Sequence, residues 1–147
     1  MEPFYDDIIK LDGATFKSPT DVAVGRGMIV VADEEAGCVH VFHEQSLQLL
    51  SSCDTGSLRK PCRLALLSTG HVLVTGETEE GFQAVAMFAL VKGLDGVLKF
   101  PMCCLYYVEE VVLFTGVAVD EVERRVYVAT DERGVWVWEV SHWPESD

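Results

Sequence analysis

The chain has 147 residues, of which 49% are hydrophobic and 24% are charged, and these values are ordinary for a single soluble globular domain. Eleven Lys and Arg residues stand against 24 Asp and Glu residues, so the net charge of −13 repels phosphate and disfavours nucleic acid as a partner. The apolar runs are too short or too interrupted by charge to span a bilayer, and we expect no membrane association.

A pattern of three short apolar strands occurs three times along the chain. Each run has about four to six residues, is rich in Val, Ile and Leu, and is bounded by glycine or acidic loops, as is typical of β-strands. The strands are predicted at 19–24, 28–33 and 38–42 in the first copy, at 61–66, 71–76 and 84–88 in the second, and at 115–120, 125–130 and 135–138 in the third. The pattern places Ala23, Ala65 and Ala118 at equivalent positions, which we expect to be buried on inner strands.

The first two copies also have room for a fourth strand. It is predicted at 47–53 in the first copy and within 97–112 in the second, which carries an insertion of about ten residues placed between 90 and 110. Four antiparallel strands in about forty residues indicate a β-propeller blade. We therefore predict an all-β propeller with blades at about 18–56, 61–112 and 113–147, the last without its fourth strand, and residues 4–12 as an outer strand of another blade.

The segment 11–24, LDGATFKSPTDVAV, resembles the entry into an NHL-repeat blade, in which a glycine, an aromatic residue and Pro-x-x-Val-Ala-Val recur. Residues 30–42 are similar to the rest of that repeat. In the second copy, Thr75 and Gly76 stand where the first copy has the small residue and the Asp that end its second strand. The Gly-His and Trp-Asp pairs of WD40 repeats are absent. The resemblance implies a propeller, commonly of six blades, that acts as a protein-binding platform. It also implies a role like that of ubiquitin-ligase or scaffold adaptors.

Three blades are too few to close a propeller ring. The surplus N-terminal strand and the incomplete third blade are complementary, which predicts a homodimer with six blades in total. The residues expected to exchange between chains are Ile8, Ile9, Leu11, Trp136 and Trp138. The alternative is that the chain is a fragment of a longer propeller.

The function predicted from these features is a non-enzymatic protein-interaction module or scaffold that binds a protein or peptide, and the acidic charge favours a basic partner. The alternative is a small-molecule-binding or hydrolytic propeller with a site in its central channel. The residues proposed to contact a protein partner lie in blade loops and in the C-terminal tail: Arg26, Glu34, Glu35, Glu79, Glu80, Arg133 and Trp143.

No spacing in the chain predicts a catalytic residue, a cofactor or a metal site. The five cysteines include no C-x-x-C pair, and the four histidines are expected to have surface roles, His40 among them. Apolar residues alternate with both tryptophans of the last strand, which predicts that this strand packs between two blades. The unpaired thiols and the acidic N-terminus indicate an intracellular protein, and we expect it in the cytoplasm.

Overall fold

The fold, a computed structural model, is described for residues 8–132 and 134–144, and these ranges contain thirteen β-strands and no helix. Nothing in them could therefore cross a membrane as an apolar helix. The strands form three antiparallel sheets in chain order and one small hairpin. The all-β prediction is confirmed.

Blade 1 is a four-stranded meander of β1 (Pro19–Gly25), β2 (Met28–Asp33), β3 (Cys38–His43) and β4 (Leu49–Asp54). Its first turn consists of Arg26 and Gly27, with φ angles of 53° and 75°. Two consecutive left-handed residues match the twist of a two-residue hairpin. Glycine supplies one of them without steric cost.

Blade 2 has the strand order β10-β7-β6-β5. Its strands are β5 (Leu64–Leu66), β6 (Val72–Glu77), β7 (Gln83–Phe88) and β10 (Met102–Val108). The insertion is a short hairpin of β8 (Val91–Lys92) and β9 (Leu98–Lys99), and it lies within the predicted range. Phe100 follows this hairpin and stacks on Phe88 with ring centroids 4.3 Å apart, so the insertion is anchored to the core.

Blade 3 has three strands, β11 (Phe114–Asp120), β12 (Arg125–Thr130) and β13 (Val135–Glu139). No fourth strand pairs with β13 in the described part of the chain. The edge of β13 is therefore open.

The hydrophobic core lies between the blades, because successive residues of a strand point to opposite faces of its sheet. Val30 and Val41 of blade 1 pack against Val74 and Phe88 of blade 2. The other face of blade 2 packs on blade 3 in the same way. A third cluster covers the outward face of blade 1, where the segment from Leu11 to Phe16 packs on β2 and β3.

Two predictions about burial in blade 3 are wrong. Ala23, Ala65 and Ala118 do occupy equivalent places on the first strand of each blade, but the first two are only half-buried and Ala118 is exposed. On β13 the two tryptophans are half-buried against blade 2, whereas Val135 and Val137 are 61% and 50% exposed. Ala118 and the two valines are exposed because, among the described residues, no further blade covers that side of blade 3.

The N-terminal segment forms no strand within residues 8–12, and residues 4–7 of the predicted outer strand lie outside the described residues. Ile8 and Ile9 are 96% and 72% exposed, while Leu11 packs on the cluster of Ile29, Val31 and Phe42. The strand exchange predicted for these residues stays a prediction.

Candidate functional site

The loops of the blades gather at two opposite rims. The first strands of blades 1 and 2 run in the same direction, because Asp21 Oδ2 accepts the Leu64 N–H at 2.9 Å near one end and Gly25 lies against Leu66 at the other. The β2–β3 and β6–β7 loops therefore share one rim. This acidic rim carries four predicted partner-binding residues: Glu34, Glu35, Glu79 and Glu80.

The other predicted contact residues are not on this rim. Arg26 is exposed in the β1–β2 turn, at the opposite end of blade 1. Trp143, expected in an exposed tail, is instead half-buried in the cluster between blades 2 and 3. Arg133 lies outside the described residues. The structure thus places the acidic members of the predicted set on one rim.

A groove of about 430 Å³ opens beside Glu79 and Glu80. We call it the Tyr107 groove; its lining consists of Ser57, Thr78, Glu79, Glu80, Phe82, Leu105 and Tyr107. The rings of Phe82 and Tyr107 stack with centroids 5.7 Å apart and an angle of 12° between their planes. Tyr107 is 50% exposed, so a large aromatic surface lies next to two carboxylates.

The β6–β7 loop holds this arrangement in place through Thr78. The Thr78 hydroxyl accepts the Phe82 N–H at 3.1 Å, and the Thr78 N–H donates to the Phe82 carbonyl at 2.8 Å. Gly81 completes the turn with a φ of 92°, a conformation that glycine adopts without strain. The two glutamates are therefore presented at the tip of an ordered loop, and both are exposed.

The sequence reasoning found the two glutamates but missed their aromatic neighbours. Leu105 and Tyr107 alternate with Cys104 and Tyr106 along β10, and only the latter pair faces blade 3. The signal available in the sequence was an outer strand that is apolar on both faces. It could not show that Phe82 lies across the sheet from Tyr107.

A second cavity, of about 160 Å³, lies near the inner strands and is lined by residues of all three blades. Arg63 enters it with its Nη1 donating to the Thr20 carbonyl at 3.0 Å, while its Nε is buried without a hydrogen-bond partner. Lys60 and Glu77 form an ion pair at 3.8 Å on its wall. The alternative function, a small-molecule-binding or hydrolytic propeller, would require its site in this cavity.

His40 is not on the surface, as the sequence reasoning expected, but is 3% exposed. Its Nε2 lies 2.9 Å from Asp33 Oδ2 and its Nδ1 lies 2.7 Å from Ser52 Oγ. Burial raises the pKa of Asp33, but hydrogen bonds from His40 and from three backbone amides outweigh burial and hold the pKa below its ordinary value. Because these bonds tie β2, β3 and β4 to the segment before β1, we assign the group a structural role.

The five cysteines are unpaired, and burial raises the pKa of four of them, which disfavours the thiolate: Cys38, Cys53, Cys103 and Cys104. Burial, reinforced by the charge of Asp33, raises the pKa of Cys38 to about 11. In the described ranges, no three His, Cys, Asp or Glu residues come together in a way that could hold a metal ion.

The stacked sheets, with their cores between blades, define the chain as part of a β-propeller. No protein-family model matches the sequence, and no curated protein does. Among solved structures, the β-propeller domain of Cps50 (Swd1) from Myceliophteria thermophila superimposes on 84% of this chain with a TM-score of 0.64 and 15% sequence identity. The chain spans 38% of the length of that propeller chain. At this identity the likeness shows the propeller fold.

Proposed function

We propose that the chain is a non-enzymatic protein-interaction module that binds a basic segment of a protein partner in the Tyr107 groove. The observation that supports this most is the juxtaposition of an exposed aromatic stack with the carboxylates of Glu79 and Glu80. An arginine or lysine side chain satisfies both features, since its apolar stem and cationic head can lie on an aromatic ring while the head meets the carboxylates.

The expected affinity is modest. A cation on an exposed aromatic ring contributes about 0.5–1 kcal/mol, and each exposed ion pair contributes about 0–1 kcal/mol. The net charge of −13 adds long-range attraction for a basic peptide and accelerates its association. Binding should therefore weaken as salt is added, and a nucleic acid should not compete.

The test is calorimetric titration with a short Gly/Ser peptide that carries two adjacent arginines, and with the same peptide carrying glutamines. We expect only the arginine peptide to bind. Tyr107→Ala should weaken binding about two- to fivefold, as the loss of about 0.5–1 kcal/mol would. The double variant Glu79→Gln, Glu80→Gln should weaken binding about fivefold, as the loss of about 1 kcal/mol from two exposed ion pairs would.

The matched control is the double variant Glu109→Gln, Glu110→Gln, which removes the same charge from another exposed acidic pair. It should retain nearly all of the binding, apart from a small loss of long-range attraction. Equal binding of the two peptides, or equal losses in both double variants, would contradict the proposal.

The alternative, a small-molecule or hydrolytic site in the central channel, has less support. The cavity around Arg63 has about 160 Å³, below the roughly 300–1,000 Å³ typical of ligand pockets. Ser52, His40 and Asp33 include the residue types of a nucleophilic triad, but Ser52 lies in neither cavity and the carboxylate of Asp33 is occupied by backbone amides.

The finer assignments remain proposals of the same kind. The NHL relationship is proposed from the motif in residues 11–24. A scaffold role follows from the same relationship. An intracellular, cytoplasmic location is supported by the five unpaired cysteines.

A further inference from the structure

Two blade faces in this structure are left without a neighbouring blade. On blade 3 the open side, which we call the blade-3 face, carries Ala118, Tyr127, Ala129, Val135 and Val137, with the ion pair of Arg125 and Glu139 at one end. On blade 1 the side away from blade 2, which we call the blade-1 face, consists of Val22, Val24, Ile29, Val31 and Phe42. Of the latter, Val22 and Val24 are each 56% exposed, whereas the other three are already buried beneath the segment from Leu11 to Phe16 and beneath Leu47 and Leu49.

The blade-3 face has the composition of a face that is already buried elsewhere in the chain. In blade 1 the side towards blade 2 carries an Ala-Val-Val row across three strands, formed by Ala23, Val30 and Val41. In blade 3 the same register positions form an Ala-Tyr-Val row, Ala118, Tyr127 and Val137. The neighbouring pair of Ala32 and Val39 in blade 1 corresponds in the same way to Ala129 and Val135 in blade 3. Since the blade 1 residues of this pattern pack against a neighbour, the blade-3 face has the pattern of a surface that a blade covers.

The blade-1 face has the matching composition of the opposite side. Its row of Val24, Ile29 and Phe42 corresponds in register to Leu66, Val72 and Phe88, the side of blade 2 that packs on blade 1. The two open faces therefore have the two complementary patterns that meet in the existing contact between blades 1 and 2. A contact between them would continue the blade–blade interfaces already present.

The N-terminal segment lies where the outer strand of a preceding blade would lie. Leu11 stands twelve residues before Ala23, as Cys53 on β4 stands twelve residues before Ala65. Cys53 belongs to the core between blades 1 and 2, and Leu11 packs on the blade-1 face in the same manner. The segment thus occupies the place of an outer strand, and the described residues include no blade there for it to complete.

The pairing of β3 with β4 in blade 1 predicts the register in which the N-terminal segment of one chain would pair with β13 of another chain. Val39 pairs with Cys53 and Val41 pairs with Ser51 in blade 1. The equivalent pairs between two chains are Val135 with Leu11 and Val137 with Ile9. These pairs place Ile9 and Leu11 on the side of the sheet that carries the blade-3 face, so two more apolar side chains extend that face.

We propose that the blade-3 face of one chain packs on the blade-1 face of a second copy of this chain, and that residues 8–12 of the second copy complete blade 3 as its fourth strand. Two such contacts, related by a two-fold axis, close a ring of six blades. The N-terminal segment keeps its packing on its own blade 1, so assembly requires no large rearrangement. The contact also pairs the open edge of β13, which would otherwise invite uncontrolled association.

The test is the mass of the intact chain in solution, measured by light scattering over a wide range of concentration. We expect twice 16.3 kDa. Val137→Asp places a charge in the apolar contact and should weaken the dimer at least about 100-fold. The matched control is Val122→Asp, a 90% exposed valine in the β11–β12 turn outside both faces, which should leave the dimer intact.

A second measurement tests the register. A chain that carries both Ile9→Cys and Val137→Cys should form an interchain disulfide on mild oxidation, identified by mass spectrometry of the linked peptides. Ile8→Cys with Val137→Cys should not, because neighbouring residues of a strand point to opposite faces.

A folded monomer at every concentration would overturn the proposal. So would species that grow without closing, a dimer that Val137→Asp leaves intact, or equal cross-linking of the two cysteine pairs. None of these results would affect peptide binding in the Tyr107 groove, since that groove is lined by neither face.

Discussion

Replacing Asp33 with Asn should destabilise blade 1 strongly, although it changes only one atom of the side chain. The carboxylate is fully buried and accepts the N–H groups of Lys17 at 2.9 Å, Ser18 at 2.8 Å and Ala36 at 3.3 Å, besides its contact with His40. An amide can keep the bonds made by Oδ1, but at the other position an NH₂ group would face the Lys17 N–H and accept nothing.

The size of the effect follows from these contacts. A hydrogen bond to a charged group contributes about 1.5–3 kcal/mol, and the bonds that remain become neutral and lose roughly half of their strength. We therefore expect a loss of about 3 kcal/mol in the free energy of unfolding. In urea this corresponds to a fall of roughly 1–3 M in the midpoint, which circular dichroism can follow.

Glu35→Gln is the matched control, because Glu35 is exposed in the loop directly after Asp33. It should change the free energy of unfolding by less than about 0.5 kcal/mol. If Asp33→Asn and Glu35→Gln unfolded at the same urea concentration, the reasoning about the buried carboxylate would be refuted.

The carboxylate of Asp33 also predicts that the free energy of unfolding depends on pH. The folded state holds the pKa of Asp33 below its ordinary value of 3.8, so the unfolded chain binds the proton more readily. The carboxylate therefore contributes stability above that value, and the contribution is lost as the pH falls through the folded-state pKa. The difference in stability between the wild type and Asp33→Asn should be full near neutral pH and should narrow below about pH 4.

Two further predictions concern other parts of the chain. Gly76→Ala should destabilise blade 2 by about 1–3 kcal/mol, because an added Cβ would meet the Arg59 carbonyl oxygen at 2.5 Å. In the control Gly116→Ala, the nearest atom to the added Cβ is 3.9 Å away, so its free energy of unfolding should stay within about 0.5 kcal/mol of the wild type. Equal urea midpoints for the two variants would contradict this prediction. Iodoacetamide near pH 8 should label the exposed Cys103 well before Cys38, whose pKa is raised to about 11, and mass spectrometry that found Cys38 labelled first would contradict the assigned burial.

The candidate site shows where local reasoning succeeds and where it stops. Glu79 and Glu80 were predicted as contacts because two acids in a loop between strands are bound to be solvated. Phe82 and Tyr107 were not predicted, because their stacking depends on the register between β7 and β10, which are separated by the inserted hairpin. Because these residues are far apart in the sequence, the aromatic half of the groove was not predicted.

The sequence by itself determined the strands, the turns and their grouping into three blades, because strand alternation and turn residues act over a few neighbouring positions. Only the tertiary structure decided which faces are covered. His40 is buried because Phe16 and Ser52 reach it from other segments, and Ala118 is exposed because no other described segment packs on its side of blade 3. Burial depends on neighbours that are distant in the chain, and the pattern of one strand carries no record of them.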